Sequence, residues 1–209
     1  MIESEADAKA FSREAVRDPA AFSRLEDFAE RLTIENSRQN LVSSASLEEI
    51  WKRHIADSLQ LLELASSDWS AWLDLGTGAG PPGLVIAIAR PDLVVHLVES
   101  RKKRIDWLQS VCLANGLSNC HVEGHRLENV ESFPADVISA RAFAPLEKLL
   151  SLSSRFSTGD TTWLLPKGRS AQIEVDKLAI AVRGMFHVKP SITDLQAGII
   201  VGKGVPAIP

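Results

Sequence analysis

Leu73-Asp74-Leu75-Gly76-Thr77-Gly78-Ala79-Gly80-Pro81-Pro82-Gly83 is the stretch whose reading decides the fold. Before it, Ala71-Trp72-Leu73-Asp74 is a short apolar run ending in a carboxylate, which reads as a buried strand. After it, Pro82 suits the first position of a helix, where a missing N–H costs little. Leu84-Val85-Ile86-Ala87-Ile88-Ala89 then carries that helix to a stop at Pro91. Strand, glycine turn and helix together make a nucleotide-binding arrangement. Glycine admits positive φ and lets a ligand touch the backbone, while the helix start offers N–H groups with no partner inside the helix. A small ligand with an adenosine-like part is expected on this turn.

Two motifs overlap there. Gly78-x-Gly80-x-x-Gly83 matches the dinucleotide fingerprint, a weak signal when it stands alone. Asp74-x-Gly76-x-Gly78-x-Gly80 resembles the glycine-rich motif of S-adenosylmethionine-dependent methyltransferases, and that resemblance implies that Asp74 helps to hold the cofactor's ammonium-bearing methionine part. A carboxylate repels a pyrophosphate and attracts an ammonium, which favours S-adenosylmethionine. A dinucleotide and a ligand-free structural corner are the competing readings. Glu99 closes the apolar run Leu93 to Val98 about twenty residues beyond the turn, where a carboxylate can take two ribose hydroxyls of either ligand.

Outward from the turn, the pattern divides in two. Residues 1–70 are helical: Phe22, Leu25, Phe28 and Leu32 recur at helical spacing opposite a charged face. Asn36 to Asn40 reads as a polar break. Ser46 and Glu49 read as a capping box opening the next helix, with Leu47, Ile50, Trp51, Ile55, Leu59 and Leu62 as its buried stripe. From Ala71 strands alternate with helices. Helices are expected at Lys102–Ala114, closed by Asn115-Gly116, at Pro145–Ser153 and at Ala171–Val182. Strands are expected at Cys120–Glu123, Asp136–Ser139, Thr162–Leu165, Met185–Lys189 and Gly198–Val201. Such alternation means an α/β fold with a doubly wound, mostly parallel sheet, here a 71–209 cofactor-binding core under a 1–70 helical cap in one compact domain. Ligands of such sheets sit outside the C-terminal strand ends. Asp74, Glu99, the Gly124–Glu128 loop, Arg141 and Lys167 therefore converge on one rim.

The chain is long enough, at 209 residues and 45% hydrophobic, to bury one sizeable core. A net charge of −4 means that no global basic field advertises nucleic acid, which leaves room only for a local patch. Cys112 and Cys120 lack metal-type spacing and read as reduced thiols, and no metal site is expected. With neither a signal peptide nor a membrane-spanning run, a cytoplasmic monomer is the expectation.

Several separate stretches resemble the RsmG (GidB) family of bacterial 16S rRNA guanine-N7 methyltransferases. They are Arg53-His54-Ile55-Ala56-Asp57-Ser58-Leu59, the glycine turn, Val98-Glu99-Ser100 with the basic run after it, Arg126-Leu127-Glu128, Ser139-Ala140-Arg141-Ala142-Phe143 and Lys167-Gly168. The resemblance spans about Asn40 to Gly168. It implies a seven-stranded class I (Rossmann-like) methyltransferase, S-adenosylmethionine as cofactor with contacts at Gly76, Pro81, Leu127, Glu128 and Arg141, and 16S rRNA, within the small ribosomal subunit or its precursor, as partner. Pro81 departs from the family's usual Phe or Leu, Val42 from its Thr, and a Trp-Asn pattern before Leu41 is missing. Alternatives of other kinds are a methyltransferase for a small molecule or a protein, and a non-catalytic cofactor-binding regulator.

His54, Asp57 and Ser58 share one helix face, but a nucleophile there would lack an oxyanion hole, so a structural role joining cap to rim is the better reading. Arg101-Lys102-Lys103-Arg104 sits at a helix start, against the dipole, and is either a solvated face or a phosphate patch. Arg53, Arg126 and Lys167 extend that candidate RNA rim, and Phe143 is the stacking candidate. Neutral guanine N7 already carries an in-plane lone pair, so no catalytic base is required.

Overall fold

The computed structural model describes residues 1–65 and 69–207; residues 66–68 of the expected cap lie outside the described residues. Seven strands form one sheet: β1 Ala71–Leu75, β2 Val94–Val98, β3 Cys120–Glu123, β4 Val137–Ala140, β5 Thr162–Gly168, β6 Phe186–Pro190 and β7 Gly198–Lys203. Their order is β3-β2-β1-β4-β5-β7-β6, with β7 antiparallel to both neighbours and the rest parallel. The order reverses between β1 and β4, which opens a crevice at their C-terminal ends. The glycine turn follows β1 and Arg141–Phe143 follow β4, so both stand at that crevice.

The central strands are apolar on both sides because helices cover both faces. On one face α5 (Gly83–Ala89) and α6 (Lys102–Ala114) pack under the N-terminal helix α2 (Pro19–Gln39). The core there runs from Phe22, Leu25 and Phe28 through Leu84 and Ile88 to Trp72 and Leu108. Every residue of α5 is buried, which explains why its sequence is apolar all round. The second core, on the other face, joins Leu149, Leu150 and Phe156 to Trp163, Val175 and Val182. It is built by α7 (Leu146–Ser153), α8 (Ala171–Asp176) and α9 (Ile180–Arg183).

Three local expectations are corrected. The polar stretch Asn36 to Asn40 is no break: α2 runs on to Gln39, because buried Asn36 accepts the Val42 N–H at 2.8 Å and Glu35 takes both Arg38 and Gln39. Ser43, not Ser46, caps α3 (Ser44–Glu48), its Oγ accepting the Ser46 N–H, while Glu49 lies 3.7 Å from Lys52. A π-type turn, Trp51–Ala56, and the short helix α4, Asp57–Leu59, follow. The single helix expected over Ala171–Val182 is two, α8 and α9, with the Arg183 guanidinium donating to the Asp176 and Leu178 carbonyls across the break. A further helix, α1 (Glu5–Val16), carries a Ser4/Asp7 capping box and packs on the π-type turn, with Glu5 accepting the Trp51 and Lys52 N–H groups.

Candidate functional site

A cavity of about 410 Å³ opens at the C-terminal ends of β1, β2 and β3, and its wall includes Gly76, Glu99, Arg104, Arg126, Leu127, Glu128 and Phe143. Glu99 organises it. The residue is 5% exposed; Oε2 accepts the Gly78 N–H at 3.1 Å, and Oε1 accepts those of Ser100 at 2.8 Å and Arg101 at 2.9 Å. Arg104 Nη1 lies 3.8 Å from Oε2. One carboxylate thus ties the glycine turn to the start of α6. It also places negative charge at that helix's N-terminus, which offsets the unfavourable basic run there.

The turn is shaped by close approaches on three sides. Gly76, at φ 64°, lies so near Phe143 that a Cβ there would stand 2.6 Å from the ring. Gly80 faces Leu84 and Phe28 of the cap, and a Cβ on Gly83 would meet Asp74 Cβ and Leu97 Cδ2 at 2.5 Å each. Trp107 Nε1 donates to the Ala79 carbonyl at 2.9 Å and pins the turn to α6. The glycines therefore serve packing on the cap side and ligand access on the cavity side.

Asp74 is placed below the cavity, not on its wall. It is completely buried; Ser139 donates to Oδ1 at 2.6 Å, Trp72 Nε1 donates on to Ser139 at 2.8 Å, and Oδ2 has no partner among the described residues. Its position fits a brace between β1, β4 and α5, instead of the ammonium contact expected of it. Burial pushes its carboxyl up to about 6, against the lowering by the Ser139 hydroxyl bonded to it and the nearby Thr77 hydroxyl and Gly83 N–H. A folded-state pKa above the unfolded value means the native protein loses stability as Asp74 ionises. The cost, of order 3 kcal/mol, is absent below about pH 4 and complete above about pH 6. Asp74→Asn removes this titration. Urea unfolding at pH 4 and pH 7 should therefore show wild type losing about 2 kcal/mol more than the variant over that interval.

The other expected cofactor residues divide. Gly76, Glu99, Leu127 and Glu128 line the cavity. Gly78 reaches it through its N–H to Glu99, Gly80 packs against Leu84 and Phe28, and Pro81 is buried. Arg141 turns the other way. Its Nη1 donates to the Arg53 carbonyl at 3.0 Å and lies 3.8 Å from Asp57 Oδ2, and its Nη2 donates to His54 Nδ1 at 3.0 Å. Asp57 is thus the carboxylate beside its guanidinium. Arg141 instead borders a second cavity of about 310 Å³ with Arg53, His54 and Asp57. Burial, then the Arg141 and Arg53 charges, push the His54 imidazole down to about 3, which keeps it neutral. Ser58 Oγ donates to the His54 carbonyl at 2.5 Å, so His54, Asp57 and Ser58 join cap to rim and form no nucleophilic triad.

Of the expected RNA residues, Arg104, Arg126 and Phe143 line the first cavity, which Arg101 and Lys148 also border. Its wall carries four cationic side chains against the carboxylates of Glu99 and Glu128. Lys103 is exposed and Lys102, 80% exposed, pairs with Asp106 one turn on. Arg53 pairs with Asp194 at 3.0 Å beside the second cavity. Lys167, expected on that rim, has a side chain only 8% exposed and bonded to Ala144 and Glu174 inside the protein. Ser139 and Glu174 hold this site together without having been singled out for it in the sequence, while Asp57, beside Arg141, takes the structural place expected of it. The one local signal for Ser139 was its place at a strand end beside Arg141.

The model of the family described as rRNA small subunit methyltransferase G (GidB) matches residues 21–198. The chain is 54% identical to the ribosomal RNA small subunit methyltransferase G of Erythrobacter litoralis, covering 98% of both chains. It is 52% identical to that of Novosphingobium aromaticivorans, covering 96% of this chain and 88% of that one. Among solved structures it resembles a variant of MtNAS in complex with S-adenosylmethionine, with a TM-score of 0.54 at 13% identity over 96% of this chain and 89% of that one. It also resembles a SAM-dependent methyltransferase from Aquifex aeolicus, with a TM-score of 0.57 at 13% identity over 80% and 96%. These two likenesses establish the class I methyltransferase fold.

Proposed function

Because the chain belongs to the rRNA small subunit methyltransferase G family, we propose that it transfers the methyl group of S-adenosylmethionine to N7 of a guanosine in 16S rRNA. The observation that carries this reading is the cavity itself. A glycine cradle, a buried carboxylate and a cationic rim meet at the point where the sheet order reverses.

The residues present fit the cofactor. Gly76 has no side chain where one would collide with Phe143, Glu99 presents a fixed carboxylate of the kind that takes ribose hydroxyls, and Val98 and Leu127 supply apolar walls for a flat ring. When bound, S-adenosylmethionine supplies an electrophilic sulfonium methyl. Guanine N7 has its lone pair ready in the neutral base, so the protein's task is to hold the base in line and exclude water, and no side chain has to remove a proton. Phe143, against Gly76, forms the wall nearest the glycine turn. The cationic side chains at the mouth would hold phosphates, which position the strand without reading its sequence.

We place this chemistry in the cytoplasm on the small ribosomal subunit or its precursor, acting as a monomer in which residues 1–70 cap a 71–209 core. No helix among the described residues is long and apolar enough to cross a membrane. An acidic chain with only a local basic rim suits a shaped ribonucleoprotein better than free RNA.

The test is labelled methyl transfer to small subunits from cells lacking the enzyme, with naked 16S rRNA alongside, at increasing salt. Apparent affinity should fall steeply on a log–log plot because phosphate contacts release counterions. A flat profile, or label on a small molecule or protein only, would overturn the reading. Replacing Lys102 and Lys103 together by alanine should shrink the salt slope by about two and leave S-adenosylhomocysteine affinity unchanged.

A further inference from the structure

Within the segment Arg141–Leu146, residues Ala142–Ala144 line both the cofactor-side cavity and a larger one of about 660 Å³. Within it Ala142 has φ 57°, a left-handed conformation that costs energy for any residue with a Cβ. Such a shape persists only where its surroundings hold it. At its start Arg141 is held by the Arg53 carbonyl and His54. At its end Lys167 Nζ donates to the Ala144 carbonyl at 2.6 Å and lies 3.0 Å from Glu174 Oε2, which accepts the Leu146 N–H at 2.9 Å. Ser170 Oγ donates to the other Glu174 oxygen at 2.9 Å. Between these two anchors Phe143 lies against Gly76.

We propose that Lys167, together with Glu174, is a positioning residue for methyl transfer: it holds Ala142–Ala144 in the strained shape that sets Phe143 against the glycine turn. This rests on the function proposed above. A buried ammonium bonded to a carbonyl and a carboxylate is a rigid brace, and its removal frees one end of the loop so that the strain at Ala142 can relax. Loosening the wall spreads the geometries in which a base meets the reacting centre. Misplacement by about 1 Å is enough to cost up to about 100-fold in rate. Substrate engagement through exposed cations is untouched by such loosening.

Lys167→Met, which keeps the apolar stem and removes the donor, is the test. The expected result on small subunits is a kcat about 30-fold lower, with KM and its salt slope unchanged. Hydrogen exchange over residues 141–146 should quicken while that of the sheet stays as in wild type. A raised KM with a salt slope smaller by about one would make Lys167 a phosphate contact and overturn the proposal. Val182→Ala, which thins the buried core on the same face, should lower the melting temperature and leave kcat unchanged. An equal loss of kcat in that variant would reduce the Lys167 effect to general destabilisation and also overturn the proposal. Wild type inactive on subunits would remove the proposed function, and the exchange experiment still decides the brace: unchanged exchange over 141–146 in Lys167→Met rejects it.

Discussion

Glu99→Ala is expected to weaken S-adenosylhomocysteine binding by about 100-fold, close to 3 kcal/mol, while the protein stays folded. The wild-type carboxylate accepts three backbone N–H groups, two from the start of α6 and one from the glycine turn, at 2.8 to 3.1 Å. Hydrogen bonds to a charged acceptor contribute about 1.5 to 3 kcal/mol each when both partners are fixed. Removing the carboxylate loses the expected ribose contact, leaves those donors seeking water, and releases Arg104 from its 3.8 Å partner. The fold itself does not depend on Glu99, because Thr77 N–H still bonds to the Val98 carbonyl at 3.0 Å and Trp107 still holds Ala79. Titration calorimetry with S-adenosylhomocysteine reads the change. A Kd within threefold of wild type would mean that Glu99 only shapes the turn and that the cofactor is held elsewhere.

Gly83→Val is expected to act on the fold instead. A Cβ there would sit 2.5 Å from Asp74 Cβ and Leu97 Cδ2 and 2.8 Å from Asp74 Oδ2, all inside the interior. None of these atoms is the free end of a flexible surface chain. Relief requires α5 to lift from β1 and β2, and α5 carries the apolar layer joining the sheet to α2. Overpacking of this kind costs about 3 kcal/mol, which in a chain of this size lowers the melting temperature by about 10 °C. Loss of S-adenosylhomocysteine binding should accompany it, since the turn moves with the helix. Scanning calorimetry that found the variant within 2 °C of wild type, at the sensitivity expected from about 1 kcal/mol, would show α5 to be far more loosely seated than its contacts indicate.

The strands were legible because each is a short apolar run between turn residues. Cys120–Glu123 falls where periodicity places it, and the other strands shift by a residue or so. β5 runs three residues further than expected, to Gly168, because its pairing with β7 shifts register after Pro166 and continues. The glycine turn and Glu99 were legible for a local reason: the motif lies within one strand–turn–helix unit, and spacing along the chain determines geometry there. What could not be read is what depends on distant partners. Asp74 looks like a rim residue until Ser139, 65 positions away, is seen to claim it beneath Gly83. Lys167 stands next to Gly168 at a strand end and looks like a surface cation, yet Ala144 and Glu174 enclose it. Arg141 likewise looks like a cofactor residue, and its partners Arg53 and His54, 88 and 87 positions earlier, together with Asp57, are what hold it elsewhere.

The most direct test of the central claim is to map the methyl group itself. Small subunits from cells lacking the enzyme would be incubated with S-adenosylmethionine, and their 16S rRNA treated to cleave the chain at N7-methylguanosine. Cleavage at a single guanosine, dependent on the enzyme and lost in Glu99→Ala, is the predicted result. Methyl groups spread over many sites, or carried on another base atom or on protein, would contradict it.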